Sequence, residues 1–438
     1  MKKINKMVNI ALIFTLLGMF LCQNLTYAKT GISCLFHTLL YASPFPANKE
    51  SLRVPIGNLK RLKTVGLIEK SKLNPAASRV IHLVGVFPGY DSMGSYKNLA
   101  DVYKIYEMKI PEIQALYDRA AKILGFTGEN GEPDPTKLFN LASFPEDRLK
   151  RRQVLLSAFI VHNLALEAYL RHIAQETGIE VEFDAYTGRS IGVFISAIAS
   201  KALSLEDGIK ISFALVGFIA KNIKEQNHQH VIIIKGNNSN VVSVMKKMKK
   251  QFGDDVEVYE DYSPSQCNVY VNKEIYEGFK HDFLDNKAEA GVEVIVGHAT
   301  DILMHYRGMG SVRRELEKYI LDNIKIKDPR IPIIPNNGDG VIRKGSDVLK
   351  AILDIVDKPM MSRNTLELLE ENFKSGALIE IGIGGKSVNF FKDNGIKFPF
   401  LGFSGDDYST ASFLEMLRQS ISSGVGIIRN SAPLRESL

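Results

Sequence analysis

Ser190 lies between two glycines in Phe183-Asp184-Ala185-Tyr186-Thr187-Gly188-Arg189-Ser190-Ile191-Gly192, and an apolar stretch of helical character, Val193 to Ala199, follows at once. The spacing G-x-S-x-G is that of a nucleophile elbow. A sharp strand-to-helix turn holds the hydroxyl exposed, and small neighbours relieve the crowding the turn creates. The helix behind such a turn offers backbone N–H groups to an oxygen gaining negative charge. Acyl chemistry at a serine also needs a base to take its proton. Two histidines, His298 and His305, follow far downstream after a strand-like run. The motif is short and the chain has 34 glycines, so the elements around it carry the argument.

Those elements alternate as an α/β protein does. Val80 to Phe87 reads as a buried strand, Pro88 to Gly94 as a turn-rich loop, and Tyr103 to Leu124 as a helical region. Leu155 to His172 is an apolar helix, and the short strand Val181-Glu182-Phe183 then feeds the serine turn. From His230 to Gly297 the pattern changes. Strands at Val231–Ile234, Val256–Tyr259, Cys267–Val271 and Val292–Val296 alternate with helices at Val241–Phe252 and Glu274–Asp285. That order is βαββαβ, a ferredoxin-like subdomain. Core-type strands resume at Ile331–Ile334 and Ala377–Ile381, so the subdomain is an insertion. The expected architecture is α/β: a hydrolase-like core with a parallel sheet over 79–229 and 298–400, the ferredoxin-like insert at 230–297, and a C-terminal helical tail at 401–438. The sequence shows no internal repeat and no low-complexity tract.

Composition narrows the function classes. At 438 residues, 45% hydrophobic and 24% charged, the chain has ample material for a core. Its net charge of +6 is spread along the sequence, which argues against a nucleic-acid surface and suits an acidic carrier protein or a phosphorylated cofactor. Cys22, Cys34 and Cys267 have no metal-ligand spacing and are too few for a disulfide framework. The N-terminus has a basic start, an apolar stretch from Val8 to Cys22, and a small-residue site at Thr26-Tyr27-Ala28, the pattern of a secretory signal over 1–28. Residues 29–78 give no clear element and read as a linker.

With these elements in place, the chain resembles the malonyl-CoA:acyl-carrier-protein transacylase family. Val86-Phe87-Pro88-Gly89 looks like that family's first strand and glutamine loop, and Gly188-Arg189-Ser190-Ile191-Gly192 like its G-H-S-L-G elbow. Leu203-Ser204-Leu205-Glu206-Asp207-Gly208 resembles the loop after the elbow helix. Met304-His305-Tyr306-Arg307-Gly308-Met309, with Leu316 beyond, resembles the segment that carries the catalytic histidine. Ile331-Pro332-Ile333-Ile334-Pro335-Asn336 and Glu380-Ile381-Gly382-Ile383-Gly384 resemble two later strands. The similarity runs in order from about residue 80 to about residue 395.

The resemblance implies roles. Ser190 is the nucleophile and His305 its base, preferred over His298 because Met309 and the helix beginning near Arg313 follow His305 in register. The family orients its histidine through a backbone carbonyl, so no third acid is required. Oxyanion donors are the N–H groups of Ile191 and Tyr90, and Asn336 shapes this side of the pocket. The substrate is acyl-CoA, malonyl-CoA by family weight, the partner is an acyl carrier protein, and the setting is fatty acid or polyketide biosynthesis in the cytoplasm. No metal and no bound cofactor are implied. Membrane contact is expected only through the signal-like N-terminus, which points instead to export or anchoring.

Departures from the family bear on substrate. Its loop glutamine is Tyr90 here, a change that a backbone donor tolerates. Its malonate-binding arginine corresponds to Leu215, while Lys210 and Lys221 sit on other turns, and its later glutamine corresponds to Ile355, so Leu215 and Ile355 are expected to line the substrate site. The elbow histidine is Arg189, which is then placed to supply charge from the neighbouring side. Without that charge the pocket favours a neutral acyl group, or hydrolysis of thioesters or lipids. A catalytically degenerate carrier-binding relative is the remaining alternative. Two rival motifs fail. Gly385-Lys386-Ser387 ends like a phosphate loop, but Glu380 occupies the first glycine position. Asp339, in Asn337-Gly338-Asp339-Gly340, matches the aspartate of a lipase dyad, but the glycine-rich oxyanion loop is missing.

Overall fold

The strand Arg79–Phe87 is apolar except at Arg79 and His82, as a strand covered on both faces must be. The computed structural model describes residues 79–89, 99–223, 229–285, 291–297, 304–373, 376–382, 387–396 and 398–423. The leader at 1–28, the linker at 29–78, Tyr90 and His298 lie outside the described residues.

In chain order the elements are β1 (Arg79–Phe87), α1 (Leu99–Glu107), α2 (Pro111–Leu124), α3 (Arg148–Glu176), β2 (Ile179–Gly188), α4 (Ile191–Ala199) and α5 (Leu205–Ile223). Next come β3 (Gln229–Gly236), α6 (Asn238–Phe252), β4 (Val256–Ser263), β5 (Gln266–Asn272), α7 (Tyr276–Phe279) and β6 (Val292–Val296). The remainder is α8 (Gly310–Asn323), β7 (Ile333–Ile334), α9 (Gly345–Asp357), β8 (Met360–Met361), α10 (Ser362–Asn372), β9 (Ala377–Ile381), α11 (Ser387–Asp393), β10 (Phe400–Phe403) and α12 (Asp407–Ser423).

Five strands form the core sheet in the order β10-β9-β1-β2-β7, every pair parallel. Alternation along the strands sends side chains to two separate cores. Leu83 and Phe87 of β1 join Tyr186 of β2 against α3, α4, α5 and α9. Val84 and Val86 join Ala185 and Leu378 against Leu366 and Leu369 of α10 and Phe390 and Phe391 of α11. Helices on both faces are what a parallel sheet requires. α3 is long and apolar enough to cross a membrane by composition, but 78% of its apolar window is buried inside this fold; it is the core helix.

The second sheet has the order β6-β3-β5-β4-β8. Its first four strands are antiparallel neighbours in the ferredoxin-like order, with Ile232, Ile234, Val269 and Val271 packed under α6 and α7. The fifth strand, β8, comes from the core segment and pairs parallel with β4 through Glu260 and Asp261. Tyr270 of β5 turns to the opposite face and joins the main core. This seam brings the second sheet to the elbow. The C-terminal stretch from 401 differs from a purely helical tail. Its first residues complete β10, which pairs with β9 at the sheet edge, because Phe403 is apolar enough to be buried there.

Candidate active site

β2 ends at Gly188 and α4 begins at Ile191, so the chain reverses within Arg189 and Ser190. Ser190 takes φ 54° and ψ −118°, a region that a residue with a Cβ occupies only when its surroundings force it. Several contacts do so. The Arg189 N–H donates to the Phe87 carbonyl at 3.0 Å. Asn336 spans the Ser190 backbone, its Oδ1 accepting from the Ser190 N–H at 3.2 Å and its Nδ2 donating to the Ser190 carbonyl at 3.3 Å. Both motif glycines are sterically required. A Cβ on Gly188 would stand 2.2 Å from the Gly192 carbonyl carbon, and one on Gly192 would stand 2.2 Å from the Phe87 oxygen.

His305 arrives from the other side of the cleft, also with a positive φ, 60°. Its N–H donates to the Ile355 carbonyl at 3.0 Å, and the next N–H, that of Tyr306, donates to Val356 at 3.3 Å. The Tyr270 hydroxyl donates to the Met304 carbonyl at 3.0 Å. Burial pushes the Tyr270 phenol well above its ordinary value, so it remains a donor across the physiological range. The ring nitrogen Nδ1 lies 3.0 Å from the Lys358 carbonyl oxygen. A carbonyl only accepts, so Nδ1 carries the proton and Nε2 presents a lone pair. That lone pair faces the Ser190 Oγ at 2.8 Å, across 115 residues of sequence. Ser190 and His305 are 8% and 4% exposed, which shields the pair from bulk water and strengthens its electrostatics.

Arg189 points elsewhere than a substrate carboxylate. Its Nε and one terminal nitrogen donate to the two oxygens of Glu260 at 2.8 and 2.7 Å, a fork-to-fork pair. Glu260 is wholly buried and also accepts from Asn268 Nδ2 at 2.8 Å and Ser362 Oγ at 3.2 Å. The expectation that Arg189 supplies charge to the acyl group is therefore corrected: its charge is neutralised by β4. Ile355 is corrected as well. Its side chain is buried in the main core and its carbonyl holds the His305 backbone. Asn336 grips the elbow peptide, and Leu215 lies buried in the apolar core on α5. Ile191 opens α4 directly behind Ser190. Asp339 is bonded to Asn337 and Lys350, so it forms no dyad with Ser190.

Sequence reasoning missed Glu260, Tyr270 and the Lys358 carbonyl. Glu260 left a faint trace, because it falls two residues after Val258 in a strand where a carboxylate turned inward demands a partner. Nothing local names Arg189, 71 residues away, as that partner. A cavity of about 20 Å³ is lined by Thr187, Arg189, Asn336 and Phe391; it has room for about one water. Among the described residues, no group of three or more His, Cys, Asp or Glu side chains is arranged to hold a metal ion.

No family profile and no curated protein matches this chain. Solved structures do. The malonyl CoA-acyl carrier protein transacylase of Clostridium perfringens is 20% identical with a TM-score of 0.61, covering 78% of this chain and 99% of its own. The acyl carrier protein S-malonyltransferase of Vibrio cholerae is 17% identical with a TM-score of 0.59, over 75% and 99%. A malonyl-transacylase in complex with its type II polyketide acyl-carrier protein is 19% identical with a TM-score of 0.60, over 76% and 99%. The chain has the fold of the malonyl-CoA:acyl-carrier-protein transacylases.

Proposed function

We propose that this protein is an acyltransferase that moves an acyl group from coenzyme A to the phosphopantetheine thiol of an acyl carrier protein through an acyl-serine intermediate. The observation that carries the reading is the 2.8 Å approach of His305 Nε2 to Ser190 Oγ, with Nδ1 tied to the Lys358 carbonyl. His305 takes the Oγ proton as Oγ attacks the thioester carbonyl carbon. The oxyanion gathers at the N–H groups of Ile191 and Tyr90. The C–S bond breaks, the proton passes from Nε2 to the departing thiolate, and free CoA leaves behind an acyl ester on Ser190. In the second half the carrier thiol gives its proton to His305 and attacks the ester. Ser190 recovers its proton, and the acyl group leaves as a carrier thioester.

Carrier protein enters this reading from the solved neighbour that holds one. A degenerate carrier-binding relative is the weaker reading, since a chain without catalysis has no use for holding both Ser190 and His305 in positive-φ backbones. The test incubates the purified protein with several acyl-CoAs, with and without holo carrier protein. Intact mass should report an adduct on Ser190 that Ser190→Ala lacks and that carrier protein discharges. Free acid released at the same rate with and without carrier would establish a hydrolase and refute transfer.

A further inference from the structure

Arg189 adjoins Ser190 in the chain and is the nearest cation to it in sequence. It is already taken. Two of its nitrogens lie on Glu260, whose oxygens are further fixed by Asn268 and Ser362. The pair is formally neutral, and Glu260 has no exposed surface. On α5, Leu215 is 3% exposed and adds no charge. Among the described residues, neither Arg189 nor Leu215 offers a counter-charge, and a carboxylate carried into an enclosed site without one is disfavoured, because desolvation outweighs whatever it gains there.

We infer that Glu260 determines the acyl specificity of the site: by holding Arg189 in a neutral pair, it restricts the group carried on Ser190 to uncharged acyl chains. This deepens the acyl-transfer reading and rests on it. Freed of Glu260's charge, Arg189 would become a bidentate donor beside the nucleophile.

The experiment measures single-turnover acylation of Ser190 by intact mass, with acetyl-CoA, hexanoyl-CoA and malonyl-CoA as donors. The wild-type protein should take a neutral acyl group at least about tenfold faster than malonyl. Glu260→Gln should raise the malonyl-to-neutral rate ratio by about tenfold or more, while Glu260→Asp, which keeps the charge, should hold the wild-type ratio. A purely structural role for Glu260 lowers both rates together and leaves the ratio alone; that outcome overturns the inference. So does a wild-type preference for malonyl-CoA, which needs no variant and therefore decides even if Glu260→Gln does not fold. Absence of label from every donor overturns the acyl-transfer reading itself, and this inference with it.

Discussion

His305 Nδ1 stands 3.0 Å from the carbonyl oxygen of Lys358, and this contact stands where a Ser-His-Asp triad has its carboxylate. The carbonyl sets the tautomer and the ring plane without adding a negative charge to the cleft. In the proposed reaction, transfer of the Ser190 proton then depends on the imidazole alone.

Removing that imidazole should stop the chemistry and spare the fold. His305→Gln is expected to slow acylation of Ser190 by about 10²–10⁴-fold. Rapid-quench mass spectrometry reports the rate, and a value within about tenfold of wild type would take His305 out of the proton transfer.

Asn336 holds the Ser190 backbone through both its amide oxygen and its amide nitrogen. Asn336→Ala leaves that strained peptide without its side-chain partners. Stability should fall by about 1–3 kcal/mol, and the acylation rate by about 10- to 100-fold, because Oγ loses its aim. Loss of stability with an unchanged rate would show that the side chain serves the fold only.

Gly188 and Gly192 pack backbone to backbone at the elbow. Gly188→Ala and Gly192→Ala should each cost more than about 4 kcal/mol, or prevent soluble folding. Gly278→Ala, in α7 where an added Cβ meets nothing, should shift stability by less than about 1 kcal/mol, and upward. Urea midpoints for the three variants test the contrast.

Acid should act through the core. His162 is completely buried, 2.8 Å from the Tyr117 hydroxyl, and burial pushes its imidazole down to about 3. Above pH 6.5 the ring is neutral in the folded and unfolded chains alike. Below it the unfolded chain binds a proton that the folded chain refuses, so stability is lost as pH falls from 6.5 toward 3, at about 1.4 kcal/mol per unit. The double variant Tyr117→Phe/His162→Leu should lose less stability than wild type over that window. Parallel slopes of urea midpoint against pH would exclude His162 as the source.

Tyr270 ties the segment before His305 to the second sheet. Tyr270→Phe should cost about 1 kcal/mol for the lost hydrogen bond and lower the acylation rate more than it lowers acyl-CoA affinity. An unchanged rate would mean that Ile355 and Val356 hold the loop without help.

Much of the frame was legible in the residues. The strands before and after Ser190 show themselves as apolar runs, and the insert shows its βαββαβ order, because period and turn chemistry are local properties. Gly188 and Gly192 were readable for the same reason: only a residue without a side chain fits where two backbones meet. Other roles had no local signature. Ile355 and Lys358 act on His305 through carbonyl oxygens, and every residue type carries one. Their side chains therefore say nothing about the task.

The sequence by itself determined the order of the elements, the serine held between glycines, and two downstream histidines as candidates for its base. The tertiary structure alone decided that Ser190 and His305 meet at 2.8 Å across 115 residues, and that Glu260 claims Arg189 across 71. Those encounters depend on how β8 and β5 dock the second sheet against the elbow. Such docking is set by packing among distant segments, and no short stretch of chain encodes it.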